Sequence, residues 1–308
     1  FEMAASEGGG IAQCYNDIVR ADTTCDYDRA LKACNRLLKR WPKEGKFVYK
    51  CKLVALIQLG QFDNALTLLK KTTVGEMGPA NFEKAYVHYR LNQNDEALAE
   101  LANCAPDDLR AVELKAQIDY RLDKHETAYD GYKTLLKRHS DDHDEERKAN
   151  AIAVQAQLAA AGTKTTALVT DFDSFEQLYN ASCVDIEDGK YKEAAKKLDK
   201  ALPLCKVSLA DSGIADEEID EEAASITLQK AYVLHRLGNV SEAAAEYARV
   251  EALKPSDASV LAAVLNNLAS IASVTNLPEA RRRLKAAGGV DKTKLSRRQR
   301  VTLLLNQS

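Results

Sequence analysis

Apolar residues along this chain return at three- and four-residue spacing through most of its length, the periodicity of amphipathic helices. Within that pattern one alanine recurs in a fixed context. A turn-prone residue stands five before it, often an aromatic or apolar residue three before it, and a leucine or small residue just after. The clearest cases are Cys25-Asp26-Tyr27-Asp28-Arg29-Ala30-Leu31, Gly60-Gln61-Phe62-Asp63-Asn64-Ala65-Leu66 and Asn92-Gln93-Asn94-Asp95-Glu96-Ala97-Leu98. Asp123 to Ala128, Gly189 to Ala194 and Gly238 to Ala243 follow the same order, and Thr275 to Ala280 follows it weakly. The alanines are 35, 32, 31, 66, 49 and 37 residues apart. The gap of 66 holds two periods and so hides one degenerate unit, and the gap of 49 is one period plus an insertion.

Two helices fit in each period. Twelve residues before the alanine, where the helices cross closely, a small residue is needed; Ala85, Ala116, Ser182 and Ala231 supply it, while Leu53 and Leu268 do not. Twelve residues after it, Pro42 and Pro255 are placed to stop the second helix. This is the arithmetic of the tetratricopeptide repeat (TPR), and the longer period of about 40 in HEAT arrays fits worse. The expected fold is all-α: a right-handed superhelical TPR solenoid without a sheet, closed by a C-terminal capping helix.

The expected organisation is a flexible leader over 1–10, TPR units over 11–140, the degenerate unit over 141–174, and further TPR units over 175–308. Asp141 to Glu146 is a charged helix start, followed by an Ala-rich helix that Ala161-Gly162-Thr163 ends. Residues 206–222 carry seven acids and read as an acidic insertion, a surface loop with a frayed helix start. The capping helix is expected near 296–306, with Leu284, Leu295, Val301 and Leu304 facing the core and Leu305 among its apolar residues.

Composition narrows the function. The 308 residues carry 43 Lys+Arg against 46 Asp+Glu, a net charge of -3, which gives no global reason to bind nucleic acid. No run of 18 apolar residues occurs, so no membrane insertion is expected. The seven cysteines are odd in number and form no CxxC, which reads as buried thiols in a reducing, cytoplasmic setting. Gly162-Thr163-Lys164-Thr165 lacks the first glycine and the preceding strand of a phosphate loop. His139 and His143 among Asp141, Asp142 and Asp144 lack a second ligand cluster, so no metal is expected. No catalytic constellation is readable, and neither an enzyme nor a cofactor is expected.

The slot fourteen residues before the alanine holds Asn16, Asn180, Gln229 and Asn266. In a TPR stack this slot faces the concave side. An amide there offers a donor and an acceptor, enough to clamp the backbone of an extended peptide. Asn180, Gln229 and Asn266, with Tyr179, Cys183 and Tyr232 beside them, are the candidate partner-binding residues; solvated polar residues or interhelix hydrogen bonds are the alternative. A carboxylate clamp of Lys and Asn four apart is not found. Arg90, Arg121 and Arg236 each end a first helix, where they compensate the dipole and pack their stems on a neighbour, or else form a cationic edge to the groove. Nine basic residues and one acid occupy 281–300, without aromatic residues for base stacking, which favours a structural cap over an RNA site.

Several runs go beyond the generic repeat. Phe82-Glu83-Lys84-Ala85-Tyr86 continuing to Tyr89-Arg90-Leu91-Asn92, Asp144 to Asn150, Tyr179-Asn180-Ala181, Leu253 to Asp257 with Asn266-Asn267, and Lys294 to Gln299 strongly resemble the family of the 72-kilodalton subunit of the eukaryotic signal recognition particle. The resemblance is collinear from about residue 11 and includes the acidic insertion. It implies the N-terminal TPR region of such a subunit, a non-enzymatic scaffold in protein targeting to the endoplasmic reticulum. It also implies that the C-terminal segment of the 68-kilodalton subunit docks on this region, and that the particle's RNA, met in the family by a lysine-rich segment further on, is contacted only indirectly. A TPR adaptor of another cytosolic complex, or an RNA-contacting solenoid acting through 281–300, are the alternative readings.

Overall fold

The computed structural model describes residues 2–42, 45–138 and 140–307. Among the described residues there are eighteen α-helices and no strand, and the helices pair as TPR units. The chain divides into two compact units, 1–131 and 132–308.

The N-terminal unit holds α1 (Glu2–Thr23), α2 (Tyr27–Arg40), α3 (Gly45–Gln58), α4 (Phe62–Lys71), the single turn α5 (Val74–Met77), α6 (Asn81–Arg90), α7 (Asn94–Leu101), α8 (Leu109–Arg121) and the start of α9 (His125–Arg138). The expected leader is instead the first turns of α1. Gly10 lies on this helix against Trp41, whose ring would come within 2.9 Å of any Cβ added there.

The recurring motif has a direct physical reading. The position five before each alanine is the left-handed residue that reverses the chain between paired helices: Cys25, Gly60, Asn92, Asp123, Gly189 and Gly238 all have φ between 54° and 88°. Glycine adopts this conformation without strain, whereas a side chain there costs about 1 kcal/mol or more. The weak seventh unit turns at Thr275 without it. The seven motif alanines are all buried, between 0 and 5% exposed, and the residues twelve before all seven are buried too, including Leu53 and Leu268. Asn92 and Asp123 are side chains that tolerate this conformation, which leaves Cys25, exposed at φ 54°, as the strained member of the set. Cys25→Gly is expected to raise stability by about 1 kcal/mol in a urea melt, through relief of that strain; an unchanged or lower midpoint would show that the wider unfolded ensemble of glycine cancels the gain.

The aromatic residue three before the alanine also has a partner. Arg90 stacks over Phe62 at 4.5 Å and Arg236 over Tyr191 at 4.8 Å, so the end of one first helix rests on the ring that opens the preceding second helix. Arg121 stacks over Tyr89 at 3.9 Å and donates to the Tyr89 carbonyl at 3.0 Å. These arginines tie repeat to repeat.

The C-terminal unit holds the rest of α9, α10 (Asp144–Ala160), α11 (Phe175–Glu187), α12 (Tyr191–Asp211), α13 (Asp216–Glu222), α14 (Ala224–Arg236), α15 (Val240–Ala252), α16 (Ala258–Ala272), α17 (Leu277–Gly288) and α18 (Arg297–Gln307). In the degenerate unit α10 forms, and its buried Arg147 pairs with Asp141 at 2.7 Å. Where a second helix would follow, residues 161–174 run without one. Two buried glutamines hold this stretch. Gln155 donates to Thr165 Oγ1 and the Thr166 carbonyl and accepts from the Leu168 amide. Gln177, fully buried, accepts from the Asp173 amide and donates to the Glu145 carbonyl.

Two further expectations need correction. The acidic stretch 206–222 is mostly helical: α12 runs on to Asp211 through Pro203, because Leu198, Ala201, Leu202, Cys205 and Leu209 keep one continuous stripe on the core, and α13 follows after four residues. In α18 the inward residue is Leu303, with Leu295 buried just before it; Leu284 is half-buried, and Val301, Leu304 and Leu305 are exposed.

Candidate functional site: a groove in the C-terminal unit

The groove is built from three first helices and α18. Ile186 and Glu187 of α11, Leu228, Gln229 and Tyr232 of α14, and Ala262, Ala263, Asn266 and Asn267 of α16 line it; Arg298, Gln299, Thr302 and Leu303 of α18 complete a cavity of about 320 Å³. Its floor mixes small apolar surface with amides, a phenol and a carboxylate. That is the chemistry that fits a peptide backbone: apolar contact without a demanding shape, and donors and acceptors for main-chain groups.

Gln229, Asn266 and Tyr232 all lie on this lining. Gln229 Nε2 is 3.8 Å from the Cys183 sulfur, so these two candidates meet across α11 and α14. Tyr232 accepts a hydrogen bond from Arg236 Nη1 at 3.1 Å, which orients its ring along α14. Asn266 belongs to a polar relay: its Nδ2 donates to Asn267 Oδ1 at 3.2 Å, and Asn267 Nδ2 donates to the hydroxyl of the buried Tyr247, also at 3.2 Å. The groove amide is thereby fixed to the core of the unit.

Asn180 and Tyr179 are placed differently. Asn180 Nδ2 donates to the Ala149 carbonyl of α10 at 3.0 Å, an interhelix bond, and the residue is not on the groove lining. Tyr179 packs against the core cluster of α11 and α12, and burial, followed by the neighbouring Cys183, pushes its phenol upward. Burial likewise pushes the Cys183 thiol up to about 11, and Cys183, though it meets Gln229, is not on the groove lining. Asn16, in the same sequence slot, is exposed in the N-terminal unit.

Glu187, Asn267 and Arg298 are site residues that the repeat register does not flag. Asn267 follows Asn266 directly, so a doubled amide was the available signal; Glu187 and Arg298 meet only because α18 folds back, which no local pattern shows. The basic stretch is partly neutralised. Arg282 and Arg283 bind Glu279, whose carboxyl they hold down at about 2, the hydrogen bond from Arg282 being the largest cause. Arg283 also binds Glu251 at 2.7 Å, whereas Arg281, Lys285, Lys292, Lys294, Arg297 and Arg300 are exposed. Gly162 to Thr165 belongs to the stretch that Gln155 holds, with Gly162 ending α10 at φ 80°. His139 lies outside the described residues, His143 is exposed beside Glu146, and among the described residues no cluster suited to a metal occurs.

Comparison with known proteins agrees with the repeat register. The family model "Putative TPR-like repeat" matches residues 14–157. Signal recognition particle subunit SRP72 of Caenorhabditis elegans is 50% identical over 306 residues, covering 99% of this chain and 48% of the relative. The chain belongs with the SRP72 family. The Homo sapiens SRP72 subunit is 35% identical over 315 residues, covering 99% of this chain and 46% of the relative. The chain therefore spans about half the length of the SRP72 relatives it matches. Among solved structures, a tetratricopeptide repeat protein from Parabacteroides merdae aligns at a TM-score of 0.41 and 11% identity, over 97% of this chain and 100% of its own. That resemblance is loose, and the SRP72 match together with the helix pairs themselves carries the assignment. No helix among the described residues is long and apolar enough to cross a membrane.

Proposed function

We propose that this chain is a non-enzymatic binding scaffold of the signal recognition particle, acting in the cytoplasm in co-translational targeting to the endoplasmic reticulum. Its C-terminal groove takes an extended C-terminal segment of the 68-kilodalton subunit. The observation that carries this reading is the groove floor, where Gln229 and Asn266 present amides beside Tyr232 and small apolar surface, with Asn266 held by its relay to Tyr247. A disordered segment suits such a surface, because it can cover a long lining while making main-chain hydrogen bonds. The RNA reading is less favoured, since Arg282, Arg283 and Arg298 of the basic stretch are already bound to carboxylates.

The test is calorimetric titration of the chain with a synthetic peptide of the 68-kilodalton subunit's C-terminal segment. Gln229→Ala together with Tyr232→Ala is expected to weaken binding by about 1–3 kcal/mol, the scale of lost hydrogen bonds and one aromatic contact. Asn180→Ala is expected to act on stability instead, because its amide is engaged with Ala149. Full affinity in the folded double variant would place the partner elsewhere.

A further inference from the structure

α18 occupies the groove it helps to line, and it does so with the wrong face for a cap. Near its start Arg298 Nη1 meets Glu187 Oε1 of α11 at 2.5 Å. Gln299 Nε2 donates to the Ser259 carbonyl of α16 at 3.2 Å. Near its end Asn306 Nδ2 donates to Asn266 Oδ1 at 2.7 Å, and Gln307 Nε2 donates to the Leu284 carbonyl at 2.8 Å. Leu303 is the one buried residue of the helix, while Val301 and Leu304 stand 48% and 60% exposed. A solenoid cap turns its apolar stripe inward and its polar face outward; α18 turns polar side chains to the groove and leaves a cavity of about 320 Å³ beneath them.

These contacts resemble those of a ligand. Asn306 engages the groove amide of Asn266 as a peptide amide would, and Arg298 neutralises the one carboxylate of the lining. They are also of the kind that exchanges easily. An ion pair whose arginine is exposed contributes little, and an eleven-residue helix with one buried apolar side chain has low intrinsic stability. Leu295, buried just before the helix, anchors the connection to α17, and the bond from Gln307 to the Leu284 carbonyl is the α17 contact that release of α18 would break.

We propose that α18 is a displaceable occupant of the groove: in the free chain it holds Asn266 and Glu187, and an extended segment that binds there releases it. The proposal rests on the partner-groove reading given above. It makes the groove self-protected, and it lowers the apparent affinity for the segment by the fraction of chains in which α18 is seated.

The experiment compares the wild-type chain with two unlatched forms, Leu303→Asp and the pair Arg298→Glu with Asn306→Ala. The second set alters only surface side chains of α18 and keeps the test intact if the first impairs folding. Each is titrated with the synthetic C-terminal peptide of the 68-kilodalton subunit, and hydrogen exchange of the α18 amides is followed with and without peptide. Unlatched forms are expected to bind about tenfold tighter, and peptide is expected to speed exchange along α18 in the wild type. Equal affinity in all forms overturns the latch and leaves the groove reading standing. Weaker binding in the unlatched forms, or slower α18 exchange on adding peptide, also overturns it and makes α18 a wall of the site. No binding by any form removes the groove reading and the latch with it.

Discussion

Gln177→Leu is expected to lower the unfolding free energy by about 2–4 kcal/mol, although no charge and little volume change. Gln177 is fully buried and ties α10 to the stretch before α11: it accepts from the Asp173 amide at 3.0 Å and donates to the Glu145 carbonyl at 3.2 Å. Leucine fills the space but leaves a buried donor and acceptor without this partner, each worth about 1–3 kcal/mol. Part of the loss is recovered because the Glu145 carbonyl sits in the first turn of α10 and retains its helical bond. Gln155→Leu acts on the same stretch through the bonds to Thr165, Thr166 and Leu168, so the double variant is expected to lose less than the sum. Urea denaturation measures the loss, and limited proteolysis within 161–174 reports where it acts. A change below about 1 kcal/mol would show that water replaces the amide and that the glutamine is not what holds the stretch.

The contrast between this stretch and its neighbours shows what was readable from sequence. The repeat was legible because it is enforced locally. A left-handed turn admits few residue types, and a close helix crossing admits only small ones, so Gly60, Gly238, Ala65 and Ala243 mark their geometry wherever they stand. The loss of register over 141–174 was legible for the same reason, as an absence of those marks. What replaces the missing helix was not legible, since Gln155 and Gln177 look like any surface glutamine until the backbone they bond is in place. Two errors share another cause. Seven acids made 206–222 read as loop, yet the stripe from Leu198 to Leu209 outweighs Pro203 because apolar burial along a continuous face exceeds the loss of one helical hydrogen bond. In α18 the sequence pattern predicts an inward apolar stripe, which holds for a helix seated by burial and fails for one seated by Arg298, Gln299 and Asn306. The groove was half legible: the slot located Gln229 and Asn266, but Asn180 occupies the same slot one repeat earlier and spends its amide on Ala149.

Tyr247 is where stability and the proposed binding surface are joined, and two substitutions there are expected to separate them. Its ring is fully buried among Ala231, Leu234, Val250 and Val264, with His235 edge-on at 6.5 Å. Tyr247→Ala removes that packing and is expected to destabilise the chain by about 3–5 kcal/mol, the range for emptying an aromatic core site. Tyr247→Phe keeps the ring and deletes only the hydroxyl that accepts from Asn267 Nδ2 at 3.2 Å. Asn267 lines the groove and is half-buried, so its amide can turn toward solvent, and the expected stability loss is about 1 kcal/mol. Turning that amide removes the acceptor that holds Asn266 Nδ2, so once a bound segment displaces Asn306 from Asn266 Oδ1 the groove amide has lost its fixed direction. The phenylalanine variant is therefore expected to bind the 68-kilodalton subunit's peptide several-fold more weakly while melting close to the wild type, and Asn267→Ala is expected to match it without touching the core. A pure packing role for Tyr247 would instead give a phenylalanine variant with unchanged affinity, and the relay from core to groove would then have no part in recognition.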